Sequence, residues 1–141
     1  MEKYRELVNK AKEAMAYAHV PYSKFQVGAA ALMADGTVYT GCNIENASYG
    51  ATNCAERTAI FKAVSEGHKE IKAIAIVSSG KEFTYPCGIC RQVISEFMID
   101  GDFIFENSKE ELQIIPFNQI FPYSFTQKDL DYLGGTHERN I

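Results

Sequence analysis

The sequence has 141 residues, 46% of them hydrophobic and 23% charged, which is typical of one globular domain spanning residues 1–141. Its net charge of -4 offers no basic surface to a polyanion, so the composition favours a small ligand over a nucleic acid. No stretch approaches the roughly 18 apolar residues of a membrane span or the apolar core of a secretory leader, so we expect a cytoplasmic protein with no membrane partner.

The first part of the chain predicts one helix followed by a β-hairpin. Apolar residues recur at helical spacing over residues 2–18, and Pro21 follows where a helix cannot continue. Residues 25–33 and 37–42 have the pattern of strands, and Asp-Gly at 35–36 is a strong signal for a tight turn between them. These two strands should therefore pair antiparallel.

The middle of the chain predicts two helices that flank a buried strand. A helix over residues 55–64 should end at Gly67, and the apolar run 71–77 is typical of a buried strand. Apolar residues on one face predict another helix over residues 88–98. A cysteine motif precedes or opens each helix, so we expect both motifs at helix N-termini.

The last part of the chain predicts two short strands, over residues 103–105 and 112–115. The connection between them is much shorter than the dozen or more residues that a parallel crossover needs, so they should pair antiparallel. Beyond residue 117 we expect only helical turns, at 118–121 and 127–133. Residues 134–141 are expected to fray.

Three of the four cysteines form a pattern suited to zinc. Cys87 and Cys90 form Cys-x-x-Cys, and Cys54 stands two residues before Glu56. Four cysteines are too few for a disulfide scaffold, and three thiolates can supply the protein ligands of a catalytic zinc site that keeps one position for water. A helix N-terminus also favours the thiolate. We therefore predict Cys54, Cys87 and Cys90 as ligands of one Zn²⁺ per chain.

Glu56 is the predicted catalytic residue. From the first turn of its helix, the carboxylate could reach a water at the metal without ligating the metal, which is the position of a general acid/base. Three thiolates give zinc more negative charge than imidazoles do and would make that water less acidic. We expect the guanidinium groups of Arg57 and Arg91 to offset this charge through hydrogen bonds to the sulfurs.

The cysteine motif alone leaves other kinds of site open. Cys-x-x-Cys is also typical of a structural zinc knuckle or a thioredoxin-like redox pair, and Glu56 could simply be a solvated first-turn residue. Cys54-Ala55-Glu56 together with Pro86 favours catalytic zinc, because a Glu-bearing ligand motif followed by Pro-Cys-x-x-Cys is typical of zinc deaminases.

The other candidate ligands are predicted to be structural. Cys42 has no partner motif and is expected to be a small buried strand residue. His19, His68 and His137 are scattered along the sequence, and none is predicted as a ligand.

Four stretches carry a family pattern: Val-Pro-Tyr-Ser-x-Phe-x-Val-Gly-Ala-Ala at 20–30, Gly-Cys-Asn-Ile-Glu-Asn-Ala-Ser-Tyr at 41–49, Cys-Ala-Glu-Arg-Thr-Ala at 54–59, and Pro-Cys-Gly-x-Cys-Arg-Gln at 86–92. Together they resemble the small homotetrameric cytidine deaminases along essentially the whole chain. The zinc motif alone is shared with blasticidin-S deaminases, nucleotide deaminases and nucleic-acid editors, so the other stretches indicate the substrate.

The resemblance implies deamination of cytidine and 2'-deoxycytidine in pyrimidine salvage. It implies that Asn43 and Glu45 bind the ribose 3'-hydroxyl and that Phe25 packs against the nucleoside. A carboxylate at Glu45 would accept from a hydroxyl but repel a phosphate, which favours a free nucleoside. Without the resemblance, Asn43 and Glu45 could also be turn residues after a strand. The remaining implied nucleoside contacts are Ser48, Tyr49 and Ala55.

The resemblance also implies a homotetramer in which an aromatic residue near the C-terminus enters a neighbouring subunit's pocket. Phe125 occupies that position, although core packing is the usual role of Phe. The short connection between the last two strands fits the free-nucleoside enzymes, because the editing deaminases have a helix there and parallel strands. We therefore expect a three-layer α/β fold in which a mixed five-stranded sheet is flanked by helices.

Two other functions remain open from the sequence. A blasticidin-type deaminase or another base aminohydrolase would share the zinc chemistry. A non-catalytic, zinc-stabilised binding module would have no need for Glu56 or for the segment 43–49.

Overall fold

The computed structural model describes residues 2–134. In chain order the elements are α1 (Glu2–Met15), β1 (Val27–Met33), β2 (Val38–Cys42), a 3₁₀ turn (Tyr49–Ala51), α2 (Ala55–Ser65), β3 (Ile71–Ser78), α3 (Gly88–Phe97), β4 (Asp102–Glu106), β5 (Leu112–Pro116), α4 (Phe117–Ile120) and α5 (Gln127–Gly134). Across these residues, no helix is both long and apolar enough to cross a membrane. Of the segment 134–141 that is predicted to fray, Gly134 ends α5, and the other residues, His137 among them, lie outside the described residues.

The five strands form one mixed sheet in the order β2-β1-β3-β4-β5. β1 pairs antiparallel with β2 and with β3, whereas β3 runs parallel to β4. The predicted hairpin is confirmed, and Gly36 in its turn has a φ of 94°, which glycine adopts without steric cost. β4 and β5 pair antiparallel, as predicted for the last two strands.

Helices cover both faces of the sheet, which confirms the three expected layers. Because successive side chains of a strand point to opposite faces, Ala29 packs with Ile60 of α2 and Ile94 of α3, whereas Ala30 packs with Val8 of α1. All five side chains are fully buried, and each large aliphatic one contributes roughly 1.5–3 kcal/mol through removal from water. α2 and α3 therefore share one face, opposite α1.

A glycine brings α2 into direct contact with the sheet. A Cβ on Gly41 of β2 would lie 2.5 Å from the backbone nitrogen of Ala59 and 2.6 Å from the carbonyl oxygen of Ala55. Only a residue without a side chain permits this approach. The first turn of α2 is therefore fixed by backbone contact with the strand beneath it.

β1 begins at Val27, two residues later than predicted. Lys24 has a φ of 63°, which turns the chain just before the strand. The carbonyl of Phe25 then accepts a hydrogen bond from the Asn43 side chain rather than from a neighbouring strand. A side chain thus replaces strand pairing at this point, so the loop that precedes β1 is tied to the residues that follow β2.

Candidate metal centre and active site

Three cysteine sulfurs meet where α2 and α3 begin. Cys54 directly precedes α2, and Cys87 directly precedes α3. Cys90 lies in the first turn of α3, where its backbone N–H donates to the Cys87 sulfur. The three Sγ atoms lie within 4.8 Å of one another. The predicted position of both cysteine motifs at helix N-termini is therefore confirmed.

The spacing of this sulfur cluster fits a tetrahedral zinc ion. Zinc–sulfur bonds of about 2.3 Å place the ligands of a tetrahedral site about 3.8 Å apart, and the Sγ atoms of Cys54 and Cys87 are 3.9 Å apart. All three thiols are free. Cys90 is buried whereas Cys87 is exposed, so the cluster is open to solvent on one side, as a catalytic zinc site requires.

Arg57 supplies positive charge to the sulfur cluster, as predicted. Its Nη2 donates to the Cys54 sulfur at 3.3 Å. The Cys90 thiol and this guanidinium lower the pKa of Cys54 to about 5, although burial acts in the opposite direction. The contact with Cys54 and burial raise the pKa of Cys90. The lowered pKa favours the thiolate form of Cys54, which is the form that binds metal.

Arg91 does not make the predicted contact with sulfur. Its Nε donates to the carbonyl of Pro86 at 2.9 Å, and its Nη1 donates to the carbonyl of Ile120 at 2.6 Å. Two of the five N–H donors of the guanidinium are thus bonded to backbone carbonyls, the second of them supplied by α4, which follows β5. Arg91 therefore joins the turn before α3, which carries Cys87, to the end of α4. Arg57 is the arginine that contacts the sulfur cluster.

Glu56 is a buried carboxyl group beside the sulfur cluster. It lies in the first turn of α2, two residues after Cys54, and is 4% exposed. Burial raises the pKa of this carboxyl to about 7, and the charge of Cys54 acts in the same direction. A carboxyl group with a pKa near neutrality can both accept and donate a proton under ordinary conditions. This is the environment that a general acid/base needs.

The predicted nucleoside contacts Asn43 and Glu45 are both bound to the loop that precedes β1. The Asn43 amide accepts from the Val27 N–H at 2.9 Å and donates to the Phe25 carbonyl at 2.8 Å. The Glu45 carboxylate accepts from the hydroxyl of Ser23 and, at 3.1 Å, from its N–H. The structure therefore brings these two residues together with Phe25, whose side chain is exposed.

A cavity of about 440 Å³ opens beside Glu45, and Tyr22, Ser23, Tyr49 and Thr52 complete its lining. The rings of Tyr22 and Tyr49 meet edge to face, with their centroids 6.1 Å apart. The cavity therefore combines a carboxylate with aromatic surface.

Ser48 and Ala55, two further predicted contacts, have different environments. The backbone N–H of Ser48 donates to the Asn46 side chain at 2.8 Å, so Ser48 belongs to the turn before Tyr49. Ala55 is fully buried as the first residue of α2. No part of Ala55 is exposed in this structure, so its contact with the nucleoside stays a prediction.

Phe125 lies beside the metal-binding helix of its own chain. The Gln92 side chain, two residues after Cys90, donates to the Phe125 carbonyl at 2.9 Å. The Phe125 side chain is 55% exposed. The backbone is therefore held by α3 while the ring remains free to contact another chain.

The remaining cysteine and the two described histidines lie outside the sulfur cluster. Cys42 is a strand residue, as predicted, at the end of β2, but it is half-buried rather than buried. His68 Nδ1 lies 3.2 Å from Asp35, and the His19 backbone pairs with Ile44. Both histidines therefore have contacts elsewhere in the fold.

Sequence reasoning missed two residues that hold the turn before α2. Asn53 Nδ2 donates to the Thr58 hydroxyl at 3.0 Å, and that hydroxyl donates to the Cys54 carbonyl at 3.2 Å. The spacing from Cys54 to Thr58 was the available signal, because a helical hydroxyl reaches the carbonyl four residues earlier. The bond of Asn53 depends on the fold and has no comparable signal.

Comparisons with known proteins agree with this geometry. Residues 1–105 match the family model described as the cytidine and deoxycytidylate deaminase zinc-binding region. The chain is 50% identical to the cytidine deaminase of Halalkalibacterium halodurans over 89% of this chain and 96% of that protein. It is 48% identical to the cytidine deaminase of Sporosarcina psychrophila over 90% of this chain and 94% of that protein.

Solved structures show the same fold. The cytidine deaminase of Burkholderia pseudomallei superimposes with a TM-score of 0.82 at 40% identity, covering 86% of this chain and 98% of that chain. The cytidine deaminase of Mycobacterium tuberculosis gives a TM-score of 0.75 at 38% identity, covering 86% and 96% of the two chains. The family match and the three converging thiols together assign one zinc ion per chain as the cofactor.

Proposed function

Because the chain belongs to the cytidine and deoxycytidylate deaminase family, we propose that it hydrolyses cytidine and 2'-deoxycytidine. The products are uridine or 2'-deoxyuridine and ammonia, in a pyrimidine salvage role. The single observation that carries this proposal is the buried Glu56 carboxyl beside three converging thiols. A purely structural zinc site has no use for a buried proton donor at its edge.

Glu56 is the group that moves protons in this proposal. The zinc ion, held by Cys54, Cys87 and Cys90, supplies the Lewis acidity that activates a water molecule near neutral pH. Glu56 accepts the proton that water loses when its oxygen attacks C4 of the base. It passes this proton to N3, then takes the second proton from the new C4 hydroxyl and delivers it to the 4-amino group, which leaves as ammonia while the C4 carbonyl forms. Its burial excludes bulk water from these transfers.

Asn43 and Glu45 would bind the ribose 3'-hydroxyl, and Glu45 would set the preference for a free nucleoside. The Ser23 hydroxyl and nearby backbone N–H groups lower the pKa of Glu45, so its carboxylate is ionised. An ionised carboxylate accepts from a ribose hydroxyl and repels a phosphate. Phe25 offers an exposed ring for packing against the nucleoside. Ser48, Tyr49 and Ala55 would complete the contacts around the substrate.

We infer that the active form is a homotetramer in which Phe125 enters a neighbouring site. The exposed ring of Phe125 supports this arrangement, since it is available for a contact with another chain. Residues 1–141 would form one catalytic domain. A cytoplasmic location fits three thiol ligands that must stay reduced.

A substrate panel tests the proposed function. Purified protein with bound zinc is incubated with cytidine, 2'-deoxycytidine, cytidine 5'-monophosphate and blasticidin S, and deamination is followed by absorbance. We expect turnover of the two nucleosides and little turnover of the other compounds. Preference for blasticidin S would indicate the related aminohydrolase. Full zinc occupancy without turnover of any compound would indicate a non-catalytic zinc module.

A further inference from the structure

The Glu45 carboxylate is held by a small set of donors from one turn. The backbone N–H groups of Tyr22 and Ser23 both donate to Glu45 Oε1 at 3.1 Å, and the Ser23 hydroxyl donates to Oε2. An ionised carboxylate offers about four acceptor positions, so three are occupied within the chain. About one remains for a ligand hydroxyl.

The Ser23 hydroxyl also supports Phe25. While it donates to Glu45, its oxygen accepts from the backbone N–H of Phe25 at 3.0 Å. A serine hydroxyl has one donor and two acceptor positions, and here both functions are used. The Ser23 hydroxyl therefore links Glu45 and Phe25, the two residues to which we assign contacts with the nucleoside.

The turn that places Ser23 is itself well defined. The Lys24 N–H donates to the Val20 carbonyl at 3.0 Å, and Lys24 has a left-handed φ of 63°. A non-glycine residue in this conformation needs support from its surroundings. Ser23 and Phe25 flank Lys24, and the hydrogen bonds of Ser23 to Glu45 and Phe25 provide that support.

We propose that Ser23 is a positioning residue for nucleoside recognition, whose hydroxyl fixes the Glu45 carboxylate relative to Phe25. This inference rests on the proposed function. Ser23 itself need not touch the substrate, since its effect passes through the two residues that it joins. With about one acceptor position left, Glu45 would bind a single sugar hydroxyl. That agrees with the use of both cytidine and 2'-deoxycytidine.

The test compares Ser23→Ala with Ser65→Ala, a matched control. The Ser65 hydroxyl also donates a hydrogen bond, to the Lys62 carbonyl at the far end of α2. We expect Ser23→Ala to raise KM for cytidine roughly threefold to tenfold, the size of the net contribution of one typical hydrogen bond, with kcat and zinc content unchanged. Ser65→Ala should keep the wild-type KM. Ser23→Thr, which retains the hydroxyl, should restore most of the affinity.

A double-mutant cycle separates positioning from a general effect on the loop. If Ser23 acts through Glu45, Ser23→Ala should raise KM much less in a Glu45→Ala background than in the wild type. Effects on KM that simply multiply would overturn the proposal. Should Ser23→Ala melt early, Ser23→Cys gives the same comparison with a nearly isosteric side chain and a weak donor.

The outcomes also separate this inference from the proposed function. Wild-type protein that turns over cytidine, together with a Ser23→Ala variant of wild-type KM, would overturn the role of Ser23 alone. Wild-type protein that holds zinc but turns over no pyrimidine nucleoside would overturn both. A Ser23→Ala variant that loses kcat but keeps KM would also contradict the positioning role.

Discussion

Gly41 lies so close to the metal-binding helix that a Cβ there would stand 2.6 Å from the carbonyl oxygen of Ala55. Ala55 directly follows Cys54, so the strand beneath α2 sets the position of the first zinc ligand. The sulfur cluster therefore depends on a residue that carries no functional group.

Gly41→Ala should push the first turn of α2 away from β2. We expect a loss of about 1–3 kcal/mol in the free energy of unfolding, as for other overpacked sites, and weaker zinc binding. Gly50→Ala is the matched control, because a Cβ on Gly50 meets nothing within 4 Å. Urea unfolding and metal analysis of both variants measure the effect. Equal stability of the two variants would contradict the tight contact.

Cys87→Ala should remove both zinc and activity, because it leaves two thiols where a catalytic site needs three protein ligands. Cys42→Ala should keep about one zinc per chain, since Cys42 lies outside the sulfur cluster. Metal analysis of the purified variants tests the difference. Loss of zinc from the Cys42 variant would mean that the ligand set is wrong.

Glu56→Gln should fold and bind zinc but lose roughly a hundredfold to ten-thousandfold in kcat, the usual contribution of general acid/base catalysis. The amide has nearly the same shape but cannot take up the proton. Glu6→Gln, at an exposed position of α1, is the control and should be fully active. Near-normal turnover by the Glu56 variant would exclude Glu56 as the group that moves protons.

Glu45→Gln should weaken cytidine binding, because it replaces a charged acceptor with a neutral one. The same change should narrow the gap between cytidine and cytidine 5'-monophosphate, since the charge that repels the phosphate is removed. KM values for both compounds, measured with wild type and variant at one ionic strength, test this expectation. An unchanged ratio would show that Glu45 does not discriminate against phosphate.

Phe125→Ala should weaken cytidine binding by about 1–3 kcal/mol, the usual contribution of an aromatic ring stacked on a base, while zinc stays bound. Hybrids refolded from Phe125→Ala and Glu56→Gln chains then identify the subunit that the ring serves. If the ring enters a neighbouring site, some sites combine an intact Glu56 with an intact Phe125 and bind as in the wild type.

The affinity of the hybrid tetramers can also contradict the shared site. If hybrid tetramers, verified by mass, retain only the weak affinity of the Phe125→Ala parent at every active site, the shared site is contradicted. Phe125 would then serve its own chain, as its backbone bond to Gln92 would allow.

The elements and the metal motifs were predictable because their signals are local. The Asp-Gly turn, the apolar run of β3 and the cysteines at helix starts each depend on a few neighbouring residues. The partners of Arg91 and Glu45 depend on the fold instead. Arg91 reaches a carbonyl 29 positions away, and Glu45 is bound by Ser23, 22 positions away. Spacing within a motif carries no information about such contacts.

The start of β1 was predicted two residues too early for the same reason, because one long-range hydrogen bond decides where the strand begins. Phe25 has the side chain of a strand residue, and its pattern continues into Val27. The Asn43 amide takes the carbonyl of Phe25, which would otherwise belong to the sheet. The sequence pattern of a strand does not show that a side chain from another segment will bond to one of the strand's backbone carbonyls.

The zinc ligands come from two separate segments of the chain, so the metal also contributes to the stability of the fold. Cys54 and Cys87 are 33 positions apart, and α2 and β3 lie between them. An ion that bonds to both closes this loop and limits the conformations of the unfolded chain, as a disulfide does, without any oxidation. The zinc ion is thus also a reversible cross-link. A chelator should lower the free energy of unfolding as well as stop the reaction.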